Sequence, residues 1–296
     1  MRVSNRLMTN TIINDILKNQ QKLFGAQKRV STGKKFTLPS ENPAMMGRVL
    51  DFKKTLSMIG QYEKNISAGK LRFEIIEPTL ESVDKLLHEA KKLAMVLSDG
   101  NIDEPTRAAN LKAIENMYNQ LMGYANTKDG DQYIFSGHQS KTAPYSSDAN
   151  FNATWQGDEG DVRLIIGQGK DISINDGGRK VFEAGGVEFL DMLRDLRTGI
   201  QNDDAAMISN QVALFDNAID HVRNVRIDGS VKYAQLEATK NSLTEFKINI
   251  ENLMSEVTDV DMNEAVVELK AQQTAYEASL ASSATLIQTS LLDFLR

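Results

Sequence analysis

Residues 262–294 read MNEAVVELKAQQTAYEASLASSATLIQTSLLDF, and their spacing decides the fold. Met262, Val266, Leu269, Gln273, Tyr276, Leu280, Ser283, Ile287, Ser290 and Phe294 alternate four and three residues apart. That period holds one face of a helix toward a partner helix, as in a coiled-coil seam. Its small and polar members suit close packing in a crowded bundle better than a free-standing zipper. The bland alternative is an ordinary terminal helix docked on its own domain.

The N-terminal segment carries a matching pattern. Ile13, Ile16, Leu23 and Val30 recur at three and four once Gln20 and Gln27 are admitted, and Leu17 and Phe24 widen the stripe. These residues, with Met262, Val266, Leu269, Tyr276, Leu280, Ile287 and Phe294, form a candidate assembly seam. Charge supports pairing of the two ends. Residues 1–35 hold eight cations against Asp15 alone, whereas residues 256–296 hold seven carboxylates against Lys270 and Arg296. Exposed ion pairs contribute about 0–1 kcal/mol each, so charge selects register and the apolar seam supplies most of the stability.

Between the ends, Ser31-Thr32-Gly33 closes the first helix and Pro39-Ser40-Glu41-Asn42-Pro43 forms a loop, in which Ser40 or Asn42 can cap the next helix. From there Met45, Val49, Phe52, Leu56, Ile59, Ile66, Phe73, Leu80 and Leu87 keep heptad spacing to about Leu97, interrupted by Glu63, Lys70, Glu77 and Asp84. An unbroken helix of that extent spans on the order of 80 Å, and Pro78 marks a place where it can kink or break. Asp103-Glu104-Pro105 opens a third helix. Past Asp129-Gly130 the texture changes to short β-like runs at Tyr133–Phe135, Phe151–Trp155, Val162–Ile166, Ile172–Ile174 and Val181-Phe182. Helical pattern resumes at Val187, passes a turn signal at Asp228-Gly229, and then runs with little punctuation to the C-terminus.

The fold expected is therefore mainly α: a long helical bundle or coiled coil formed by the N- and C-terminal segments, with a small β-rich inserted domain. Three parts follow, residues 1–42 with 255–296, residues 43–130 with 185–254, and residues 131–184.

Composition narrows the function. A content of 41% hydrophobic and 25% charged residues is that of an ordinary soluble chain, and 6% aromatic residues with five Pro favours helices over a large sandwich. No membrane partner is expected, since no apolar run approaches the ~18 residues of a span, and the first residues lack the blocks of a cleavable signal. No nucleic-acid partner is expected either, because the basic N-terminus has helical apolar spacing and no aromatic interleaving beyond Phe24. With no Cys, disulfides and thiolate chemistry are excluded.

No catalytic, cofactor or metal constellation emerges. Gly33-Lys34 lacks the earlier Gly and following Ser or Thr of a phosphate loop, where Lys28 and Lys35 stand. Gly167 and Gly169 begin a dinucleotide fingerprint whose third Gly is Ile172, so a turn between strands is the better reading. His88, His138 and His221 share no ligand spacing. Asp158, Glu159 and Asp161 lack the calcium-loop pattern. The twelve Met are adaptable packing material.

Several stretches carry a resemblance. Met1-Arg2-Val3-Ser4, Val30-Ser31-Thr32-Gly33-Lys34-Lys35, Pro39-Ser40-Glu41-Asn42-Pro43 ahead of Arg48, and Gln61-Tyr62 with Asn65-Ile66 form an N-terminal signature. Asp131-Gln132-Tyr133-Ile134-Phe135-Ser136-Gly137, Trp155-Gln156-Gly157-Asp158 and Ile165-Ile166-Gly167 continue it. Gln272-Gln273-Thr274-Ala275-Tyr276-Glu277-Ala278 and Ser290-Leu291-Leu292-Asp293-Phe294-Leu295 complete it. Together these resemble the flagellin-like axial proteins of bacterial flagella. The resemblance implies a non-enzymatic subunit of the flagellum, extracellular after type III export without a cleaved signal, and held beforehand by a dedicated chaperone on its C-terminal helix. It implies a ring of copies joining hook to filament, with hook-associated protein 1 on one side and flagellin on the other. The filament subunit itself is the nearest alternative. A cytoplasmic coiled-coil scaffold is a more distant one, and an enzyme hidden in the β-rich insert ranks last.

Overall fold

The computed structural model describes residues 2–98, 103–175 and 177–294, with the side chains of all but 2–6, 8, 9 and 286–294. Among these lie seven helices: α1 (Arg2–Thr32), α2 (Pro43–Leu97), α3 (Glu104–Ala125), α4 (Gly178–Phe182), α5 (Phe189–Asn202), α6 (Ala205–Thr258) and α7 (Met262–Phe294). Between α3 and α5 run four antiparallel ribbons of two strands each. They are β1 (Lys128–Asp129) with β2 (Gln132–Tyr133), β3 (Tyr145–Ser147) with β4 (Ala153–Trp155), β5 (Arg163–Gly167) with β6 (Lys170–Ser173), and β7 (Glu183–Ala184) with β8 (Val187–Glu188). The mainly helical fold with a small β-rich centre is as expected.

By contact the chain forms two compact units, Met1–Ser57 with Phe246–Arg296, and Met58–Glu245. We call them the terminal and central units.

In the central unit, the seam of α2 is unbroken. Ile66, Gly69, Phe73, Ile76, Leu80, Val83, Leu87, Ala90, Ala94 and Leu97 are all buried, alternating three and four. Glu63, Lys70, Glu77 and Asp84 are not interruptions of this seam but its flanks, one residue after Tyr62, Gly69, Ile76 and Val83. Helix α2 also continues through Pro78. An interior proline costs about 3 kcal/mol, while full burial of each large apolar side chain contributes about 1.5–3 kcal/mol. Phe73, Ile76, Leu80 and Val83, buried on either side of Pro78, therefore outweigh the lost backbone bond.

Gly69 allows close packing here. A Cβ at this position would lie 3.1 Å from Leu236 Cδ1, 3.3 Å from Ile174 Cγ2 and 3.4 Å from Leu164 Cδ1. The ribbons thus share one core with the helices. Aromatic edges complete it: Phe135 against Phe182 at 5.1 Å, Tyr145 against Trp155 at 5.0 Å, and Phe182 against Phe189 at 6.2 Å. Ion pairs Lys91–Asp216 (2.6 Å) and Glu77–Arg226 (2.6 Å) link α2 to α6, and Arg197–Glu115 (3.0 Å) links α5 to α3.

Three local expectations are corrected. Val181-Phe182 is not a β run but the end of α4, with both side chains buried. The stretch Tyr133–Phe135 is strand only at Tyr133, and Ile134 and Phe135 leave the ribbon for the core. Asp228-Gly229 makes no turn: α6 runs through it, anchored by buried Val225 and Leu236. The break comes instead at Thr258–Asp261, where no Gly or Pro announces it.

Candidate assembly surface

In the terminal unit, α1 and α7 pack against each other. On α1 the inward series is Ile12, Ile16, Asn19, Leu23, Ala26 and Val30, half-buried throughout and fully buried at Ala26. On α7, Ala265 and Ser283 are buried, and Leu269, Gln272, Gln273, Tyr276 and Ser279 are half-buried. Small residues at these positions let the two backbones approach.

A clasp closes the pair. Gly33 ends α1 with φ at +66°, its N–H donating to Arg29 O at 2.8 Å. That left-handed conformation, easy for glycine, turns the chain so that Lys34 forms an antiparallel bridge with Asp259. Lys35 N donates to Thr258 O at 2.7 Å, and Val260 N donates to Gly33 O at 2.9 Å. Lys34 Nζ lies 2.5 Å from Asp259 Oδ1, while Thr258 Oγ1 and Ser255 Oγ each donate to that carboxylate at 2.7 Å. Led by the Lys34 bond, these donors hold the Asp259 carboxyl down at about 2. Farther along, Arg29 Nη2 reaches Glu268 Oε1 at 2.5 Å. The opposite charges of the two ends do meet.

A second carboxylate organises the loop that follows. Glu41 accepts from Lys28 Nζ (2.7 Å), Thr37 N (2.7 Å) and Leu38 N (3.2 Å), and these bonds hold its carboxyl at about 2. Phe36 is buried beside it. Asn42, one of the two candidate caps, accepts from Met45 N at 3.2 Å and starts α2. Loop and helix ends enclose a cleft of about 730 Å³ lined by Lys28, Arg29, Lys34, Lys35, Phe36 and Arg48 among others. No spacing rule singled out this clasp. Its only sequence signal was the charge asymmetry of the two ends.

The candidate seam residues fall into three groups. Ile16, Leu23, Val30, Leu269 and Tyr276 are half-buried. Ile13, Met262, Val266 and Leu280 are exposed, in company with Leu7 (69% exposed), Leu17, Phe24 (70%) and Val267. The side chains of Ile287 and Phe294 lie outside the described residues. Both helices therefore present apolar side chains outward as well as to each other.

Of the candidate histidines and loop acids, Asp158, Asp161, His221 and His88 have structural partners. Asp158 Oδ1 accepts from His138 N at 2.7 Å and Gly160 N at 2.9 Å, which lowers its carboxyl's pKa. Asp161 accepts from Ser173 Oγ. His221 Nε2 meets Lys180 O at 2.7 Å, and His88 lies 3.8 Å from Asp84. Gly167 and Gly169 form the turn between β5 and β6. Among the described residues no three His, Asp or Glu side chains gather to hold a metal, and no helix is long and apolar enough to cross a membrane.

The chain is similar to known proteins in sequence and in fold. The bacterial flagellin N-terminal helical region matches residues 3–140, and the bacterial flagellin C-terminal helical region matches residues 212–295. The chain is 23% identical to flagellar hook-associated protein 3 of Escherichia coli over 303 residues, covering 94% of this chain and 95% of that protein. It is 22% identical to flagellar hook-associated protein 3 of Salmonella typhimurium with the same coverage. In structure it is similar to a flagellar hook-associated protein of Vibrio parahaemolyticus, with TM-score 0.69 and 16% identity over 74% of this chain and 100% of the other. It is similar also to hook-associated protein 3 of Legionella pneumophila, with TM-score 0.64 and 14% identity over 70% and 98%. With flagellin regions matched at both ends, and with relatives of the hook-associated type along nearly its whole length, the chain belongs to the flagellin-like family of bacterial flagellar axial proteins.

Proposed function

We propose that this axial protein joins the hook to the filament, meeting hook-associated protein 1 on one side and flagellin on the other. The observation that carries the reading is the clasped α1–α7 pair with apolar side chains left on its outer face, Leu7, Ile13, Leu17 and Phe24 on one helix and Met262, Val266, Val267 and Leu280 on the other. An isolated helix pair gains nothing from exposed Phe and Leu, whereas neighbours packed around it bury them. The length-wide likeness to hook-associated protein 3 favours the junction over other axial positions. Export through the flagellar type III apparatus, a chaperone holding α7 beforehand, and the absence of enzymatic activity belong to the same reading.

Deletion of the gene in its motile host tests it. The expected result is cells bearing hooks without filaments, with flagellin lost to the medium. Bare hooks without flagellin in the medium would make the chain the filament subunit, a reading kept open by the flagellin regions it matches. Normal filaments would remove the junction role.

A further inference from the structure

We infer that the basic cleft of the terminal unit receives the acidic tip of the central unit from a second copy of this chain. This rests on the reading of the chain as an axial subunit and names the surfaces by which copies meet. Five cations line the cleft, Lys28, Arg29, Lys34, Lys35 and Arg48, against the carboxylates Glu41 and Glu256. Three of the cations are matched inside the subunit, Lys28 by Glu41, Arg29 by Glu268 and Lys34 by Asp259. Lys35 Nζ donates to the main-chain carbonyl of Glu256 at 2.7 Å. The cleft therefore keeps two exposed cations, Lys35 and Arg48, without a carboxylate partner among the described residues.

The complementary surface lies where α3 begins and α5 passes into α6. Asp103, Glu104, Asp203 and Asp204 are all exposed there, and one guanidinium pairs with two of them: Arg107 Nη1 is 3.1 Å from Glu104 and Nη2 is 2.8 Å from Asp203. Helix capping accounts for some of these acids. Asp204 Oδ1 accepts from Met207 N at 3.0 Å, and negative charge is favoured at helix N-termini. Asp203 caps the C-terminus of α5 in the left-handed conformation at φ 55°, where the helix dipole disfavours a carboxylate. Arg107 is its partner inside the subunit, and one guanidinium against four carboxylates leaves the patch acidic, a surface that a basic cleft complements.

The two patches are different surfaces of one chain, so their contact is heterologous. Such contacts propagate into rings or helical arrays instead of closing a dimer, as an axial subunit requires. Charge matching of this kind fixes orientation and suppresses wrong pairings, while buried apolar surface supplies the affinity.

The chain contains no Cys, so introduced thiols are the only ones it carries. A chain bearing Arg48→Cys and Asp203→Cys is expressed in the deletion host, and the isolated flagella are treated with a short bismaleimide. A ladder of cross-linked copies is expected, with single-cysteine chains giving no product beyond a dimer. Filaments restored by the double-cysteine chain without a ladder would overturn the contact and leave the axial reading intact. Failure of the unaltered chain to enter flagella would remove both. Charge exchange provides a second measure. Lys35→Glu with Arg48→Glu, or Asp103→Lys with Asp203→Lys, should each abolish motility alone, and the two chains expressed together should restore it. Full motility of either variant alone would also overturn the contact.

Discussion

Lys34 and Asp259, 225 positions apart in sequence, form an antiparallel bridge, with ammonium and carboxylate 2.5 Å apart. One residue from each end of the chain thus fixes where α1 stops and α7 starts. The register of the terminal helices is set at this point.

Acid should loosen the clasp. Asp259 and Glu41 titrate at about 2, below the ordinary 3.8 and 4.5. For groups depressed on folding, the stabilisation is fully present above the unfolded value and is lost as pH falls through the folded one. Protection of the Lys35 and Val260 amides against hydrogen exchange should therefore fall between about pH 4 and pH 2. Lys34→Met should flatten that dependence. Amide protection unchanged down to pH 2 would count against the bridge.

Gly69 and Gly229 are both helical glycines, and their environments give them opposite responses. A Cβ at Gly69 meets three side chains at 3.1–3.4 Å, so Gly69→Val should destabilise by about 1–3 kcal/mol in urea unfolding. At Gly229 the nearest atom is Phe73 Cδ1 at 3.9 Å, so Gly229→Ala should stabilise by roughly 0.5–1 kcal/mol. Destabilisation by the alanine would mean that α6 does not pass straight through Asp228-Gly229.

The inward face of α1 can be tested by adjacent substitutions. Ala26 is 1% exposed and Gln27 is exposed. Ala26→Leu should cost about 1–3 kcal/mol through overpacking, and Gln27→Leu should change stability by less than about 0.5 kcal/mol. Reversal of that order, measured by thermal unfolding, would rotate the helix by about 100°.

That pair also shows what the sequence made legible. The long helices, the β-rich centre and one seven-residue series on each of α1, α2 and α7 were readable: Ile16, Leu23 and Val30 on α1, Ile66, Phe73, Leu80 and Leu87 on α2, Leu269 and Tyr276 on α7. The companion series sits one residue earlier than strict heptad spacing places it. Ile12, Asn19 and Ala26 face inward rather than Ile13, Gln20 and Gln27, and Gly69, Ile76 and Val83 rather than Lys70, Glu77 and Asp84. On α7, Ala265 is buried and Val266 exposed, and Ser279 is more buried than Leu280. A heptad can be completed by a residue three or four positions on, and spacing alone does not choose between the two. Close backbone approach chooses the smaller one, as at Ala26, Gly69 and Ala265. Large apolar residues left outside, such as Ile13, Val266 and Leu280, are then free for neighbours. The clasp was illegible for another reason: Lys34 and Asp259 are ordinary surface residues until the chain brings them together.

The outer apolar face should matter for assembly and not for folding. Phe24→Asp with Leu280→Asp should leave urea unfolding of the central unit unchanged, since neither residue belongs to it. The same pair should abolish incorporation into flagella, scored by motility of the complemented deletion strain. Normal motility would separate these side chains from assembly.

The most direct measurement is immunogold labelling of the chain on flagella from its own host, imaged by electron microscopy. Label confined to a short band where hook meets filament is the expected result. Label distributed along the filament, or absent from the axial structure, would contradict the junction role.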